Sequence, residues 1–493
     1  MATSPMPLGK VLEGVHTTTP LPPGVEVAGL EYDSRKTGAG FLFFAFPGAK
    51  ADGRAFARQA LDRGAVAVVS ELDAPADFVG QWIRVEHGRR ALATAAKNFY
   101  GSPDERILLT GITGTNGKTT TSYLIDSILR TAGHTTALVG TIEYHLAGRV
   151  MKAANTTPES LDLFRILAEL EREGGRAATM EASSHALALG RTWGLHFHTA
   201  VFSNLTRDHL DFHGDMESYF AAKRMLFAPE YGDAPKHAVL NYDDPWAHRI
   251  EPPAGTRTYW YGLGEGAEYR AEDIAYGFDG TRFRVNGYDI VSPLAGQHNV
   301  YNILSAIGAG LSYGFDMPLI ARGVEACRAV PGRFERIDMG QPFLVVVDYA
   351  HTDDALKNLI AVARALKPRR VITLFGCGGD RDRAKRPMMG AAAGANSDYV
   401  VLTSDNPRSE DPLTIINDAL VGLSRYDTPR LIEPDRETAI RGAIGAAEAG
   451  DIVLIAGKGH EPYQVLRTGT IDFDDRKVAR QVLEGLGYGK RSR

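Results

Sequence analysis

The residues with the clearest capacity for chemistry are Gly114, Thr115, Asn116, Gly117, Lys118, Thr119 and Thr120, at the end of Gly111-Ile112-Thr113-Gly114-Thr115-Asn116-Gly117-Lys118-Thr119-Thr120. Glycines let successive backbone N–H groups turn toward an anion, and a following helix adds its positive dipole end. A lysine there reaches terminal phosphates, and a threonine hydroxyl can ligate Mg²⁺. The spacing departs from the strict G-x-x-x-x-G-K-[ST] form. Ile112 stands where the first glycine belongs, with Gly111 one residue early and Gly114 inside the loop. The competing reading is a glycine-rich turn with an ordinary surface lysine. The apolar run Ile107-Leu108-Leu109 before it and the helical pattern 121–129 after it favour a nucleotide-binding phosphate loop.

Three further polar clusters could join it: Glu181-Ala182-Ser183-Ser184-His185 and 204–211 follow predicted strands, and Asn155-Thr156-Thr157-Pro158 opens a predicted helix. Ligands of open α/β sheets lie beyond the carboxyl ends of strands, where acids and histidines are Mg²⁺ and phosphate candidates. Taken singly, each is equally well a cap or turn, and Asn155 with its two threonines resembles an N-cap before Pro158. Later, four strands end in loops: 343–347 into Asp348-Tyr349-Ala350-His351, 371–375 into 376–382, 399–403 into Asp405-Asn406-Pro407-Arg408, and 452–455 into Gly457-Lys458-Gly459-His460-Glu461. None fits a dinucleotide fingerprint.

The elements that must position these residues alternate strand and helix, which predicts an α/β protein. Three domains are expected from 493 residues: an N-terminal domain 1–103, a central P-loop doubly wound domain 104–335, and a C-terminal Rossmann-like domain 336–493. Strands are expected at 25–32, 41–46, 65–70, 137–144, 177–180 and 199–204, and helices at 54–63, 158–173, 216–227 and 300–311. The glycine-punctuated runs 257–262 and 281–285 read as an antiparallel appendage. A composition 44% hydrophobic and 23% charged, with net charge −5, is that of a globular protein without a basic footprint, so nucleic acid is not expected as a partner. Two cysteines without C-x-x-C spacing, Cys327 and Cys377, argue against a disulfide framework or structural zinc. No apolar run is long enough for a membrane span or an export signal, and a cytoplasmic protein is expected.

Together these motifs resemble the Mur ligase family of ATP-dependent amide-forming enzymes, whose loop has the same T-G-T-N-G-K-T form. The resemblance covers nearly the whole chain, and within the family it is to members that add the third residue of the muramoyl peptide. It implies ATP-dependent joining of meso-2,6-diaminopimelate to UDP-N-acetylmuramoyl-L-alanyl-D-glutamate, via an acyl phosphate, in peptidoglycan precursor synthesis and hence in cell-wall biogenesis, cell shape and division. Asp405-Asn406-Pro407-Arg408 marks members that take this amino acid, and lysine-adding relatives differ at the arginine. A planar guanidinium suits the extra distal carboxylate. Arg381 would hold the same amino acid, and Gly457 and Glu461 would receive its amino group. The resemblance further implies Thr119 and Glu181 for one Mg²⁺, with His209 and Lys223 for a second, Lys223 carrying a CO₂-derived carbamate because an ammonium cannot ligate a cation. Asn299, Arg333 and Asp348 match positions for adenine, phosphate and ribose. Tyr32, Ser34, Ala49, Lys50, Ala51, Asn155, Thr156, Thr157, Ser183 and Arg191 match the UDP-sugar side. Leu189 departs from relatives with Gln there. Lys118, Glu181, His209 and Lys223 are the catalytic candidates in what is expected to be a monomer.

The rivals are a lysine-adding or folate-type ligase of the same class and a non-synthetic P-loop NTPase switch. Arg408 and the extra N-terminal domain stand against the first, and the lack of N-K-x-D after the loop against the second.

Overall fold

The computed structural model describes residues 4–48, 51–228, 233–277 and 280–489. Ala49 and Lys50, expected at the UDP-sugar side, lie outside the described residues. By its internal contacts the chain divides into two compact units, residues 1–270 with 304–323 and residues 271–303 with 324–493.

The first unit holds two sheets. A small parallel sheet runs in the order Gly29–Glu31, Phe41–Phe44, Ala67–Ser70, Trp82–Arg84. The helix Gly88–Tyr100 follows and stops at Gly101, whose left-handed φ of 71° suits a residue without Cβ. In the larger sheet Leu108–Thr113 lies between Ala177–Glu181 and Thr199–Phe202; Thr136–Val139 continues the first side, His237–Asn241 and Arg257–Gly262 the second, all parallel. Strands 177–181 and 199–202 are buried end to end, as expected of strands covered on both faces. Because the chain leaves Leu108–Thr113 toward Thr136–Val139 on one side and leaves the adjacent Thr199–Phe202 toward His237–Asn241 on the other, the carboxyl ends of these two strands border the crevice where ligands of such sheets bind.

Two local expectations need correction. The run 137–144 is not one strand: Thr136–Val139 and Glu143–Leu146 form an antiparallel pair. Glu181 causes the break, its Oε1 lying 2.5 Å from where a Cβ on Gly140 would sit while it accepts the Thr141 N–H at 2.8 Å. Nor does 257–262 belong to an antiparallel appendage, since it pairs in parallel with His237–Asn241 and buries Tyr259 and Tyr261. Its alternating aromatic pattern is that of a sheet strand with one buried face.

In the second unit, Ala271–Gly277, Gly280–Val285 and Tyr288–Ser292 do make an antiparallel meander. Its main sheet has the order Glu335–Ile337, Leu344–Asp348, Ile452–Ala456, Val371–Cys377, Tyr399–Ser404, Arg430–Ile432, parallel except for the first pairing. Helices Asp353–Ala365, Lys385–Asn396 and Pro412–Leu423 pack one apolar cluster against it, and Arg436–Gly445 with Asp475–Gly485 pack another. The short edge strands and the last helix were not expected from the sequence. Among the described residues no helix is long and apolar enough to cross a membrane. Cys327 and Cys377 are buried, and neither is in a disulfide.

Candidate active site

Leu108–Thr113 feeds the loop, and the helix Lys118–Thr131 begins immediately after Gly117, whose φ is 89°. The irregular glycine spacing has a steric cause. Ile112 is fully buried and its carbonyl accepts the Ala182 N–H at 2.8 Å, so position 112 belongs to the strand and not to the loop. Gly114, with φ of 144°, is the position without room: a Cβ there would lie 1.9 Å from Ser203 Oγ. Ser203 Oγ in turn donates to Asn116 O at 2.6 Å, and Asn204 accepts the N–H groups of Thr115 and Asn116 at 2.8 and 2.9 Å. Thr115 and Asn116 therefore shape the loop through Asn204, and the turn Gly117–Thr119 presents the helix N-terminus to an anion.

Two lysines converge on this loop. Lys118 Nζ donates to the carbonyls of Gly114 and Thr115 at 2.9 and 2.8 Å, and Lys223 Nζ donates to Gly114 O at 2.7 Å. Lys223 is 1% exposed and lies 4.5 Å from the Tyr219 ring centroid. Burial, then the neighbouring charge of Lys118, holds its ammonium well below the usual lysine range, against the opposing carboxylate of Asp208. Glu181, buried, accepts the hydroxyls of Thr119 and Thr141, each at 3.1 Å. His209 has a left-handed φ of 53°, and its ring packs 4.9 Å from His185. Burial lowers its pKa to about 4, with Asp208 opposing, so the imidazole is neutral at physiological pH.

Thr119 and Glu181 supply oxygen donors of the kind a hard cation takes. His209 with an unmodified Lys223 does not, and among the described residues no cluster of three or more His, Cys, Asp or Glu is arranged to hold a metal.

Of the UDP-sugar candidates, Asn155–Thr157, Ser183 and Arg191 gather beside Glu181. Thr157 Oγ1 donates to Glu181 O at 2.7 Å and accepts the Ser183 N–H at 3.1 Å. Arg191 donates to Thr157 O at 3.0 Å and pairs with Glu159 at 3.1 Å. Thr156 and Thr141 share a hydroxyl contact of 3.1 Å, and Tyr144 OH donates to Asn155 O at 2.5 Å. Asn155–Thr157 are thus not the N-cap they resemble: the helix begins at Ser160, with Glu159 in the cap position. Tyr32 OH donates to Asp162 at 2.6 Å and Ser34 Oγ to Gln59 at 2.6 Å, while Ala51 is exposed in the turn whose carbonyl accepts Gly48 N–H. Leu189 is half-buried at the end of the helix Ser184–Ala188.

In the second unit, Asn299 and Arg333 line a cavity of about 250 Å³ with Leu294, Ala295 and Phe334. Asp348 ends its strand and accepts the N–H groups of Phe334 and Ala350 at 2.7 and 2.8 Å, and burial raises its pKa against the pull of Arg333. The Arg333 guanidinium lies 4.8 Å from the Tyr349 ring centroid. Gly332, with φ of 65°, approaches the next loop so closely that a Cβ would be 2.1 Å from His460 N. Along the same sheet edge, Glu461 accepts from Asn406 Nδ2 at 2.9 Å and from Lys458 Nζ at 3.1 Å. Asn406 Oδ1 accepts from Lys458 and from Val465 N–H, so its amide is oriented by the protein. Arg408, with φ of 53°, donates from Nη1 to Gly379 O at 2.7 Å and to Asn406 O at 3.4 Å. Pro407 carries the chain between them, and a Cβ on Gly379 would meet Pro407 O at 1.9 Å. Gly457, with φ of 116°, leaves no room for a Cβ, which would lie 2.6 Å from Asp405 Oδ2. Arg381 is exposed and donates from Nη1 to the neighbouring Asp380 carbonyl at 3.0 Å.

Four contributors escaped the sequence reading: Thr141, Ser203, Glu159 and Lys458. Lys458 alone had a signal, its place inside a loop already singled out; the others act through contacts between segments distant in sequence.

One sheet edge thus ends in a glycine-rich loop at a helix N-terminus, and a second carries an array of carboxylate, ammonium and guanidinium groups. Descriptions of the Mur ligase family match residues 26–100 (catalytic domain), 112–310 (middle domain) and 332–459 (glutamate ligase domain). The chain is 65% identical, over 98% of its length and 99% of the relative's, to UDP-N-acetylmuramoyl-L-alanyl-D-glutamate–2,6-diaminopimelate ligase of Solibacter usitatus. It is 46% identical, over 93% of its length and 95% of the relative's, to the ligase of the same name from Geobacillus thermodenitrificans. A solved structure of a ligase with that name superposes with a TM-score of 0.71 at 34% identity, covering 98% of this chain and 100% of the other. The chain belongs to the Mur ligase family.

Proposed function

We propose that the protein joins meso-2,6-diaminopimelate to the D-glutamyl carboxylate of UDP-N-acetylmuramoyl-L-alanyl-D-glutamate, using ATP, as a monomer in the cytoplasm. The observation that carries the acceptor's identity is Arg408. Among the described residues its guanidinium donates from Nη1, which leaves one edge of the fork to take a carboxylate through two parallel bonds, on the loop that Asn406 ties to Glu461. A distal carbon bearing both carboxylate and ammonium complements that pair, whereas lysine offers only the ammonium. The names of the relatives support the same reading.

The D-glutamyl carboxylate attacks the γ-phosphorus of ATP, the bond to ADP breaks, and an acyl phosphate forms. The free amine of the acceptor then adds to the acyl carbon, and the tetrahedral intermediate expels phosphate with loss of a proton from nitrogen. An anion attacking an anion needs positive charge around the transferred group, and Lys118 with the amides of the helix N-terminus supplies it. Thr119 and Glu181 would hold one Mg²⁺, and His209 with carbamylated Lys223 a second; bound there, the ions neutralise phosphate charge. Carbamylation requires an unprotonated amine, and burial together with the charge of Lys118 shifts Lys223 toward that form. Asn299, Arg333 and Asp348 would take the nucleoside end, and Tyr32, Ser34, Asn155–Thr157, Ser183 and Arg191 the UDP-sugar.

Phosphate release by the purified protein should require ATP, the UDP-muramoyl dipeptide and meso-diaminopimelate together, with L-lysine giving at most about one hundredth of the rate, the discrimination expected when a half-buried guanidinium loses its anion. Release independent of the dipeptide and the amino acid would favour a nucleotide switch, and equal rates with L-lysine would remove Arg408 from its role. Lys223→Ala should be nearly inactive and regain part of its activity with added formate, whose carboxylate can occupy the vacated space. Activity that formate leaves unchanged would count against the carbamate.

A further inference from the structure

The two loops read as the acceptor site are carried by strands that do not touch: Val371–Cys377 lies between Tyr399–Ser404 and Ile452–Ala456. Yet the loops must hold Asn406, Arg408 and Glu461 at a fixed spacing, since Asn406 Nδ2 and Glu461 Oε2 are 2.9 Å apart. One side chain reaches the end of both strands. Arg436, the first residue of the helix Arg436–Gly445, donates from Nη1 to Ser404 O at 3.0 Å and from Nη2 to Ala456 O at 3.1 Å. Ser404 and Ala456 are the last residues of their strands, and the next residues are Asp405 and Gly457.

The guanidinium is itself held. Its Nε and Nη2 donate to the two carboxylate oxygens of Asp475 at 2.8 and 2.7 Å, and both side chains are 0% exposed. Asp475 opens the last helix, Asp475–Gly485, which packs on the same side of the sheet as Arg436–Gly445. A buried ion pair contributes little net stability, because desolvation offsets much of the attraction. What this one supplies is geometry: a rigid plane whose donors hold two strand ends at a set distance, which a flexible ammonium with a single nitrogen could not do. The carboxylates of Asp405 and Glu461 lie close enough above it to act on its charge.

We infer that Arg436, gripped by Asp475, is a positioning residue for the acceptor amino acid, setting the distance between the loop of Asn406 and Arg408 and the loop of Glu461. The inference rests on the reading of those loops as the acceptor site. The side-chain hydrogen bonds of Arg436 run to the ends of the two acceptor-loop strands and to Asp475, so its effect should fall on one substrate.

The test is steady-state kinetics of the full chain with each substrate varied in turn, for wild type, Arg436→Lys, Asp475→Asn and Arg408→Ala. Arg436→Lys should raise the KM for meso-diaminopimelate at least tenfold and leave the KM values for ATP and the UDP-muramoyl dipeptide within twofold. Asp475→Asn, which keeps the volume and one acceptor oxygen, should give a smaller rise confined to the same substrate; it carries the test if the lysine variant does not fold. An unchanged KM for the amino acid, or three KM values rising together, would overturn the inference. If wild type does not use meso-diaminopimelate, or Arg408→Ala leaves its KM unaltered, the acceptor reading itself fails. A normal wild type and an impaired Arg408→Ala beside an unaffected Arg436→Lys would remove only the positioning role.

Discussion

Lys118→Ala should lower kcat by about three orders of magnitude while the fold and the KM for the acceptor amino acid stay close to wild type. Removing one preorganised donor from developing transition-state charge costs roughly 10²–10³ in rate, or about 3–4 kcal/mol. Lys118 belongs at the upper end because its charge faces a reaction between two anions. Two of its hydrogen bonds go to the loop carbonyls of Gly114 and Thr115. A phosphate arriving at the helix N-terminus can therefore draw the ammonium away from neutral acceptors, an exchange that strengthens the bond because the new partner is charged. Rapid-quench measurement of ADP formation should show the loss in the phosphoryl-transfer step. A Lys118→Ala enzyme with near-normal ADP formation would remove the phosphate-loop assignment.

Arg408→Ala should raise the KM for meso-diaminopimelate about 100-fold and move the KM for ATP little. Hydrogen bonds to a charged group contribute roughly 1.5–3 kcal/mol, and each 1.4 kcal/mol is tenfold in affinity. Part of the loss would be local, since Arg408 also ties its loop to Gly379 and holds a left-handed backbone angle. Arg408→Lys separates the two effects. It restores charge without the planar fork, so it should recover only a small part of the affinity. Recovery to wild-type KM would show that charge alone reads the distal carboxylate, and equal effects on ATP and amino acid would show that Arg408 does not read it at all.

Which features could be read from sequence follows from how local their causes are. The four loop-bearing strands of the second unit were legible because a parallel strand buried on both faces is a continuous apolar run, and the loop after it is polar. The odd spacing around Ile112 was equally visible, but its cause was not: Ser203 presses on Gly114 from 89 residues away. The break at Gly140 belongs to the same kind, imposed by Glu181 on a stretch whose own residues read as unbroken strand. Residues 257–262 misled because glycines just beyond them gave a hairpin rhythm, while the partner that makes the strand parallel, His237–Asn241, lies earlier in the chain. Arg436 could not have been found at all. A charged residue at the start of a helix reads as a solvated one, and only the tertiary structure shows it enclosed with Asp475.

The contact of Gly332 with the loop of Gly459 and His460 bears on how such an enzyme can diverge. Arg408 sits at the far side of the sheet edge, attached through Gly379 and Asn406, so on the proposed reading its replacement would alter which amino acid is taken while the hydrogen bonds around Asp348 stay in place. At Gly332 and Gly459 the backbones are packed so tightly that any side chain added to either would displace both segments at once. If Arg408 reads the acceptor, its preference would be free to drift in small heritable steps at one end of the edge, while the close packing at Gly332 and Gly459 lets the other end change only by simultaneous replacement.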